Sequence, residues 1–154
     1  MVARYPYYLG GSSFVPSTKE NAYSVERGTE IFQCSSGSTC PRAYETKEYI
    51  GIPYISDYGY AARENCEVST LWQYGDNENC SRDGNWLLLS DALCFITPRS
   101  DLASSVFHIY TNGYIGRDLS TKAQCRVAPV LYLEEQVRIV SGDGTIQNPY
   151  IFEK

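Results

Sequence analysis

The clearest structural pattern in this chain is Ser105-Val106-Phe107-His108-Ile109-Tyr110, then Thr111-Asn112-Gly113, then Tyr114-Ile115-Gly116-Arg117-Asp118. An Asn-Gly step between two segments of strand length is one of the strongest short signals for a β-hairpin, because a tight turn needs positive φ values. Apolar runs of strand length stand on both sides, at residues 85–90 and 125–133. We therefore predict that residues 85–133 form an antiparallel sheet, which the rest of the chain covers.

The composition is that of a globular domain. The chain has 154 residues, of which 43% are hydrophobic and 20% are charged, and this is enough for one domain with a sizeable core. The net charge of -5 argues against a nucleic-acid partner, because phosphate contacts need a basic face. No apolar run approaches the roughly 18 residues of a membrane span. Residues 1–8 lack the apolar core of a signal peptide, so the protein is either cytosolic or begins downstream of a removed targeting segment.

The cysteines favour the second of these possibilities. An even number of cysteines spaced by turn-rich loops is typical of disulfide-linked extracellular proteins. Sequence order favours the pairs Cys34–Cys40 and Cys66–Cys80, because each brackets a polar loop, and it leaves the pair Cys94–Cys125. The alternative is zinc, but no two cysteines have zinc-finger spacing and the chain has a single histidine. We predict three disulfides and an extracellular location.

Outside residues 85–133, the sequence predicts short strands and two short helices. One helix is expected after a cap at Ser56 or Asp57, and the other at residues 67–74, where Val68, Leu71 and Trp72 share one face. A weak helical signal covers residues 20–23. The sequence predicts an edge strand followed by a loop over residues 5–14, strands at residues 28–34 and 44–52 that pair with each other, a strand at residues 136–140 and an extended segment at residues 147–152. The expected fold class is α+β. We expect twisted antiparallel sheets that are cross-linked by disulfides, in one domain spanning residues 1–154.

Several motifs of the chain resemble one known group of domains. They are Ser56-Asp57-Tyr58-Gly59-Tyr60-Ala61, Trp86-Leu87-Leu88, Val106-Phe107-His108-Ile109-Tyr110, Arg126-Val127-Ala128-Pro129-Val130-Leu131-Tyr132-Leu133 and Ser141-Gly142-Asp143-Gly144-Thr145-Ile146-Gln147-Asn148-Pro149-Tyr150. Together they resemble the C-terminal domains of surface and type IV pilin-like proteins from Gram-positive bacteria. Those domains resemble the C-type-lectin-like fold, in the branch that includes formylglycine-generating-enzyme-like domains and retroelement-diversified receptors. The resemblance implies a C-type-lectin-like fold. It covers residues 28–152, so residues 1–27 are expected to be an N-terminal extension.

The resemblance implies a non-catalytic module displayed on the cell surface, pilin-like or adhesin-like. Its expected partners are neighbouring pilin subunits or a protein or glycan target. Such domains often follow an apolar N-terminal helix, but no Phe-Thr-Leu-Ile-Glu motif precedes Tyr5, so a membrane is expected only through an anchor that this chain does not contain. Two alternatives stay open: a copper- or thiol-dependent enzyme of formylglycine-generating type that uses Cys94 and Cys125, and a diversified phage or bacterial receptor-binding protein.

Other polar residues are weaker candidates for chemistry. His108 lacks a neighbouring nucleophile motif such as Gly-x-Ser-x-Gly, and we expect a structural or surface role for it. Residues 76–79 with Asp83 offer oxygen ligands for calcium, but they lack EF-hand spacing and the sugar-binding motifs of calcium-dependent lectins, so a solvated acidic loop is the simpler interpretation. The segment Asp143-Gly144-Thr145 lacks the following helix and lysine of a phosphate loop and predicts a turn. We predict no catalytic residue, metal or cofactor.

The 14 tyrosines are the remaining signal. Tyrosine joins a large apolar face to a polar tip and suits recognition surfaces, but it also covers half-buried sheets, and both interpretations stay open. In the diversified receptors, ligand contacts come from the region between the Trp-bearing strand and the final strand. By that resemblance, the candidate ligand-binding residues here are Ser100, Asp101, Ser104, Ser105, Tyr110, Asn112, Tyr114, Arg117 and Asp118.

Overall fold

The fold is a mixed α+β arrangement of small antiparallel sheets and short helices. The computed structural model describes residues 1–8, 18–27, 32–33, 39–40, 45–81, 84–88, 91–98, 104–119 and 124–154. Its helices are α1 (Lys19–Arg27), α2 (Ile55–Tyr60) and a 3₁₀ helix (Leu71–Asp76). Its strands are β1 (Val2–Ala3), β2 (Tyr5–Tyr8), β3 (Phe32–Gln33), β4 (Thr39–Cys40), β5 (Glu45–Glu48), β6 (Leu93–Pro98), β7 (Ser105–Ile109), β8 (Ile115–Leu119), β9 (Tyr132–Leu133), β10 (Arg138–Ser141) and β11 (Ile151–Glu153).

The largest sheet has three antiparallel strands in the order β6-β7-β8. The predicted hairpin is confirmed as β7 and β8, with Phe107 opposite Arg117 and Ile109 opposite Ile115. Phe107 and Ile109 are fully buried, because β7 is the central strand of the sheet. His108 is buried as well, so the expected surface role for this histidine is wrong and the structural one remains.

The two apolar runs beside the hairpin are not the strands that the sequence predicts. Residues 86–87 form a turn, and Asn85 makes only an isolated bridge to Ala62. The first strand of the sheet is β6 instead. Residues 125–133 make isolated bridges and then contribute only β9. The hydrogen bonds of the Asn85 side chain explain the turn. Its amide nitrogen donates to the carbonyls of Tyr58 at 2.9 Å and Cys80 at 3.1 Å, and its amide oxygen accepts a hydrogen bond from the Leu87 N–H at 3.1 Å.

The remaining sheets are two-stranded. They are the pairs β1–β9, β2–β5, β3–β4 and β10–β11. The predicted pairing of residues 28–34 with 44–52 is wrong, because β3 pairs with β4 and β5 pairs with β2. The turn predicted over residues 141–145 is confirmed, and Gly142 and Gly144 adopt φ values of 92° and 83° there.

The helices pack on the main sheet through an aromatic core. Tyr58, Tyr74 and Phe95 lie close together, with the Tyr58 ring centroid 5.6 Å from that of Tyr74. Leu71 is fully buried at the start of the 3₁₀ helix, but Trp72 is 62% exposed. The prediction that Trp72 shares the buried face is therefore wrong. The reason is periodicity: a 3₁₀ helix turns more tightly than the α-helix that the pattern assumed.

A buried carboxylate joins α1 to the start of α2. The side chain of Glu26 is 0% exposed and accepts hydrogen bonds from the N–H groups of Ile55 at 3.0 Å and Ser56 at 3.1 Å. The hydroxyl of Thr97 in β6 donates to the same carboxylate at 2.6 Å. Asp57 accepts from the Tyr54 N–H at 2.8 Å. The predicted cap at Ser56 or Asp57 is wrong, because the first turn of α2 is satisfied by a glutamate from another helix.

Two disulfides between described residues connect loops to the core. Cys66 is bonded to Cys80 and Cys94 to Cys125, with Cα–Cα distances of 4.8 Å and 5.4 Å. Both predicted pairs are confirmed. The second bond links β6 to the segment that precedes β9. The predicted pair Cys34–Cys40 lies outside the described residues, except for the backbone of Cys40.

Candidate functional site

The loop of the β7–β8 hairpin brings three of the predicted ligand-binding residues together. Tyr110, Asn112 and Tyr114 are all exposed, and the two tyrosine side chains keep 43% and 36% of their surface accessible. Asp76, at the end of the 3₁₀ helix, accepts a hydrogen bond from the Tyr114 hydroxyl. We call these four residues the tip surface.

Glycines set the geometry of the tip surface. Gly113 has a φ of 88°, which a side chain would strain, and an added Cβ would collide with Ser81. The loop closes when the Gly113 N–H donates to the Tyr110 carbonyl at 2.9 Å and the Tyr110 N–H donates to the Tyr114 carbonyl at 2.9 Å. The buried Tyr58 hydroxyl donates to the Gly113 carbonyl at 2.8 Å. The loop is therefore fixed to the core at its glycine.

Both tyrosine rings of the tip surface pack against other residues of the domain. The ring of Tyr114 lies against Gly75, where any Cβ would collide with it. Its hydrogen bond to Asp76 raises the pKa of the Tyr114 phenol. Tyr110 meets the buried His108 edge to face, with ring centroids 4.6 Å apart at 86°. Rings held in this way lose little side-chain entropy when a partner binds, because part of that entropy was already lost on folding.

The other predicted ligand-binding residues do not belong to the tip surface. Ser104 is exposed, but it precedes β7 at the end away from the loop, about 20 Å from Tyr110 at ~3.4 Å per residue. Ser105 is 2% exposed, so its prediction as a contact residue is wrong: it begins the central strand of the sheet. Arg117 and Asp118 lie in β8, opposite Phe107 and Val106, and their side chains are outside the described residues. Ser100 and Asp101 lie wholly outside them.

The acidic loop beside the tip surface is held by local turns. The Asn77 carbonyl accepts the N–H groups of Cys80 and Ser81, each at 3.0 Å, and its side-chain oxygen accepts the Asn79 N–H at 2.9 Å. Asp83 is outside the described residues. Within the described part of the chain, no group of three His, Cys, Asp or Glu side chains could hold a metal ion.

A second exposed aromatic site escaped the sequence reasoning. Trp86 is 73% exposed and stands between two concavities of the surface. One has a volume of about 260 Å³ and the other about 730 Å³. We call the smaller concavity, together with the Trp86 ring, the Trp86 groove; it is lined by Pro53, Asp57, Tyr60, Trp86, Leu87, Val130, Leu131 and Tyr132. The only sign of this site in the sequence is the apolar run at residues 85–90. Such a run is equally consistent with a buried strand and with a turn that exposes the Trp86 ring.

Comparisons with protein-family models, with curated proteins and with solved structures give no match to this chain. No helix among the described residues is both long enough and apolar enough to cross a membrane.

The chemistry available at the tip surface is that of recognition. It offers two aromatic faces and the amide of Asn112 on a loop that the core holds in place, with the carboxylate of Asp76 beside that loop. Tyrosines on such fixed loops supply much of the contact area in known recognition surfaces.

Proposed function

We propose that this chain is a non-catalytic extracellular display module with a C-type-lectin-like core, which binds a protein or glycan target through the tip surface. The observation that carries the proposal is the pair of exposed tyrosines, Tyr110 and Tyr114, on a loop anchored by a buried hydrogen bond. Residues that dominate the energetics of interfaces are enriched in tyrosine and tryptophan.

Two further features support a role outside the cell. The Cys66–Cys80 and Cys94–Cys125 bonds are of a kind that forms and persists in oxidising compartments. The motifs that resemble the pilin-like and adhesin-like surface domains also favour display, either as a subunit of a filament or as its binding domain. Neighbouring copies of the same chain are therefore included among the candidate targets.

The test is a binding screen with a matched pair of variants. The purified chain is applied to arrays of immobilised extracellular proteins and glycans, and its self-association is measured by analytical ultracentrifugation. We expect a hit whose affinity falls at least about tenfold, or about 1.4 kcal/mol, in the Tyr110→Ala/Tyr114→Ala variant.

The control is Tyr49→Ala, which removes a tyrosine that is more exposed than Tyr110 and Tyr114 and lies directly after β5. It should keep the affinity of the unmodified chain. The proposal is wrong if every hit binds the tip variant as tightly as the unmodified chain, or if the only activity found is turnover of a small molecule.

A further inference from the structure

The Trp86 groove has a shape suited to an extended ligand. Its volume of about 260 Å³ lies below the roughly 300–1,000 Å³ of small-molecule pockets. The Trp86 side chain also lines the neighbouring concavity formed by residues 61–65. A ligand that crosses Trp86 can therefore occupy both concavities.

The lining of the groove is aromatic and aliphatic. Tyr60 and Tyr132 stand with Trp86 around an apolar floor that includes Leu87 and Val130. One side of each tyrosine is already supported, because Lys19 lies 5.3 Å from the Tyr60 ring centroid and the Tyr5 ring stacks on Tyr132 at 3.8 Å. The ligand therefore meets side chains that are held in position.

Three of the hydrogen-bond acceptors that line the groove already have donors, namely the Asp57 carboxylate and the carbonyls of Leu87 and Val130. Asp57 accepts from the Arg27 guanidinium at 2.6 Å through one oxygen and from the Tyr54 N–H at 2.8 Å through the other. The Leu87 carbonyl accepts from Arg126 at 3.0 Å, and the Val130 carbonyl accepts from the Gly51 N–H at 2.9 Å. The ion pair also cancels the charge of Asp57, so the groove offers neither a free carboxylate nor a net charge to a cation.

The hydrogen-bond donors, in contrast, are available. Within the described residues, the hydroxyls of Tyr60 and Tyr132 and the indole N–H of Trp86 have no acceptor. A groove with aromatic side chains, no net charge and hydroxyl and indole groups without an acceptor complements an apolar ligand that presents hydrogen-bond acceptors.

A proline-rich peptide has this chemistry. Proline has no backbone N–H but keeps its carbonyl, and a polyproline II helix makes no internal hydrogen bonds, so its carbonyls point outward. Its conformation is formed before binding, and such segments dock in aromatic-lined grooves.

We propose that the Trp86 groove binds a proline-rich segment of a partner protein in the polyproline II conformation. Residues three apart in this helix lie on one face, about 9 Å from each other. One proline enters the 260 Å³ concavity between Tyr60 and Tyr132, and the residue three positions away packs on the far side of Trp86. The Trp86 groove shares no residue with the tip surface, so this proposal is tested independently of the proposed function.

The test follows the two tryptophan indole N–H signals by ¹H–¹⁵N NMR during titration with deca-L-proline and with decamers that keep proline at every third position. We expect saturable shifts of the Trp86 signal with a Kd of about 1 mM or tighter. Trp72 is also exposed and serves as an internal reference that does not shift. Deca-D-proline, which has the same composition and the opposite helical hand, should cause no shift.

Two variants complete the experiment. Trp86→Ala removes an exposed side chain together with its indole signal, so its binding is followed through the backbone amide signals. It is expected to weaken binding at least tenfold, whereas Trp72→Ala and Tyr110→Ala/Tyr114→Ala keep it. The proposal is overturned if no peptide of the set shifts the Trp86 signal, if deca-D-proline shifts it equally, or if Trp86→Ala binds as tightly as the unmodified chain. It is also overturned if neutral oligosaccharides shift the Trp86 signal and the peptides do not.

Discussion

Replacing the buried Glu26 with glutamine should remove a large part of the pH dependence of stability. Burial raises the pKa of Glu26 to about 7, while hydrogen bonds from Ser56 and Thr97 and the charge of Arg27 limit the rise. In the unfolded chain the pKa of the Glu26 carboxyl has its ordinary value of 4.5. The folded state therefore binds the proton more tightly than the unfolded state.

The sign and the size follow from this difference. The contribution of Glu26 to stability is fully present below pH 4.5 and is lost as the pH rises through about 7. Each unit of pKa is worth about 1.4 kcal/mol, so the whole change amounts to about 3 kcal/mol. Thr97 lies close enough to accept a hydrogen bond from the protonated carboxyl, since their oxygens are 2.6 Å apart.

The measurement is the free energy of unfolding by urea, followed by circular dichroism with the disulfides intact, at several pH values from 4.5 to 8. Groups with a lowered pKa, such as Glu134 and Asp143, contribute equally to both proteins and cancel in the difference. The quantity compared is the free energy of unfolding of the unmodified chain minus that of Glu26→Gln. This difference should fall by about 3 kcal/mol as the pH rises from 4.5 to 8. A difference that stays constant with pH, or one that grows as the pH rises, would refute the reasoning.

Four further substitutions test which contacts hold the tip surface and the core. Gly113→Ala should lower the free energy of unfolding by more than about 1 kcal/mol, because the residue has a positive φ and its Cβ would meet Ser81; an unchanged thermal midpoint would contradict this. Tyr58→Phe leaves the buried Gly113 carbonyl without its donor and should cost about 1–3 kcal/mol in the same assay, whereas a neutral result would mean that water replaces the hydroxyl. Leu71→Ala should cost about 2–5 kcal/mol while its neighbour Trp72→Ala stays within about 0.5 kcal/mol, and equal losses would show that the exposed and buried positions are misassigned.

The sequence predicted features that depend on local chemistry. The hairpin follows from an Asn-Gly step and alternating residues, and the turn at residues 141–145 follows from its glycines. The Cys66–Cys80 disulfide follows from the polar loop that these cysteines bracket, and Cys94–Cys125 is the pair that remains once the loop-bracketing pairs are made. Tyr110, Asn112 and Tyr114 were proposed from the resemblance to the diversified receptors, and the hairpin pattern alone places them in an exposed loop or beside it.

The features that the sequence missed depend on contacts between distant residues. Glu26 lies 29 positions from Ile55 and 71 from Thr97, and no local pattern marks it as buried or as the cap of another helix. The sequence analysis placed Trp86 in a strand because residues 85–90 form an apolar run. That run does not reveal that the Asn85 side chain donates hydrogen bonds to the carbonyls of Tyr58 and Cys80 and so favours a turn. Asp76 was assigned to a loop, and its pairing with Tyr114 depends on how the 3₁₀ helix meets the hairpin.

The central claim is that disulfides hold this domain together in an oxidising compartment while its tip surface binds a target. The most direct measurement is mass spectrometry of peptides from non-reduced, alkylated protein that has matured in its natural compartment. The account predicts the linked peptides of Cys66 with Cys80 and of Cys94 with Cys125, with no alkylation at these four residues. Alkylated thiols at Cys94 and Cys125, or pairing of these cysteines with other partners, would contradict it.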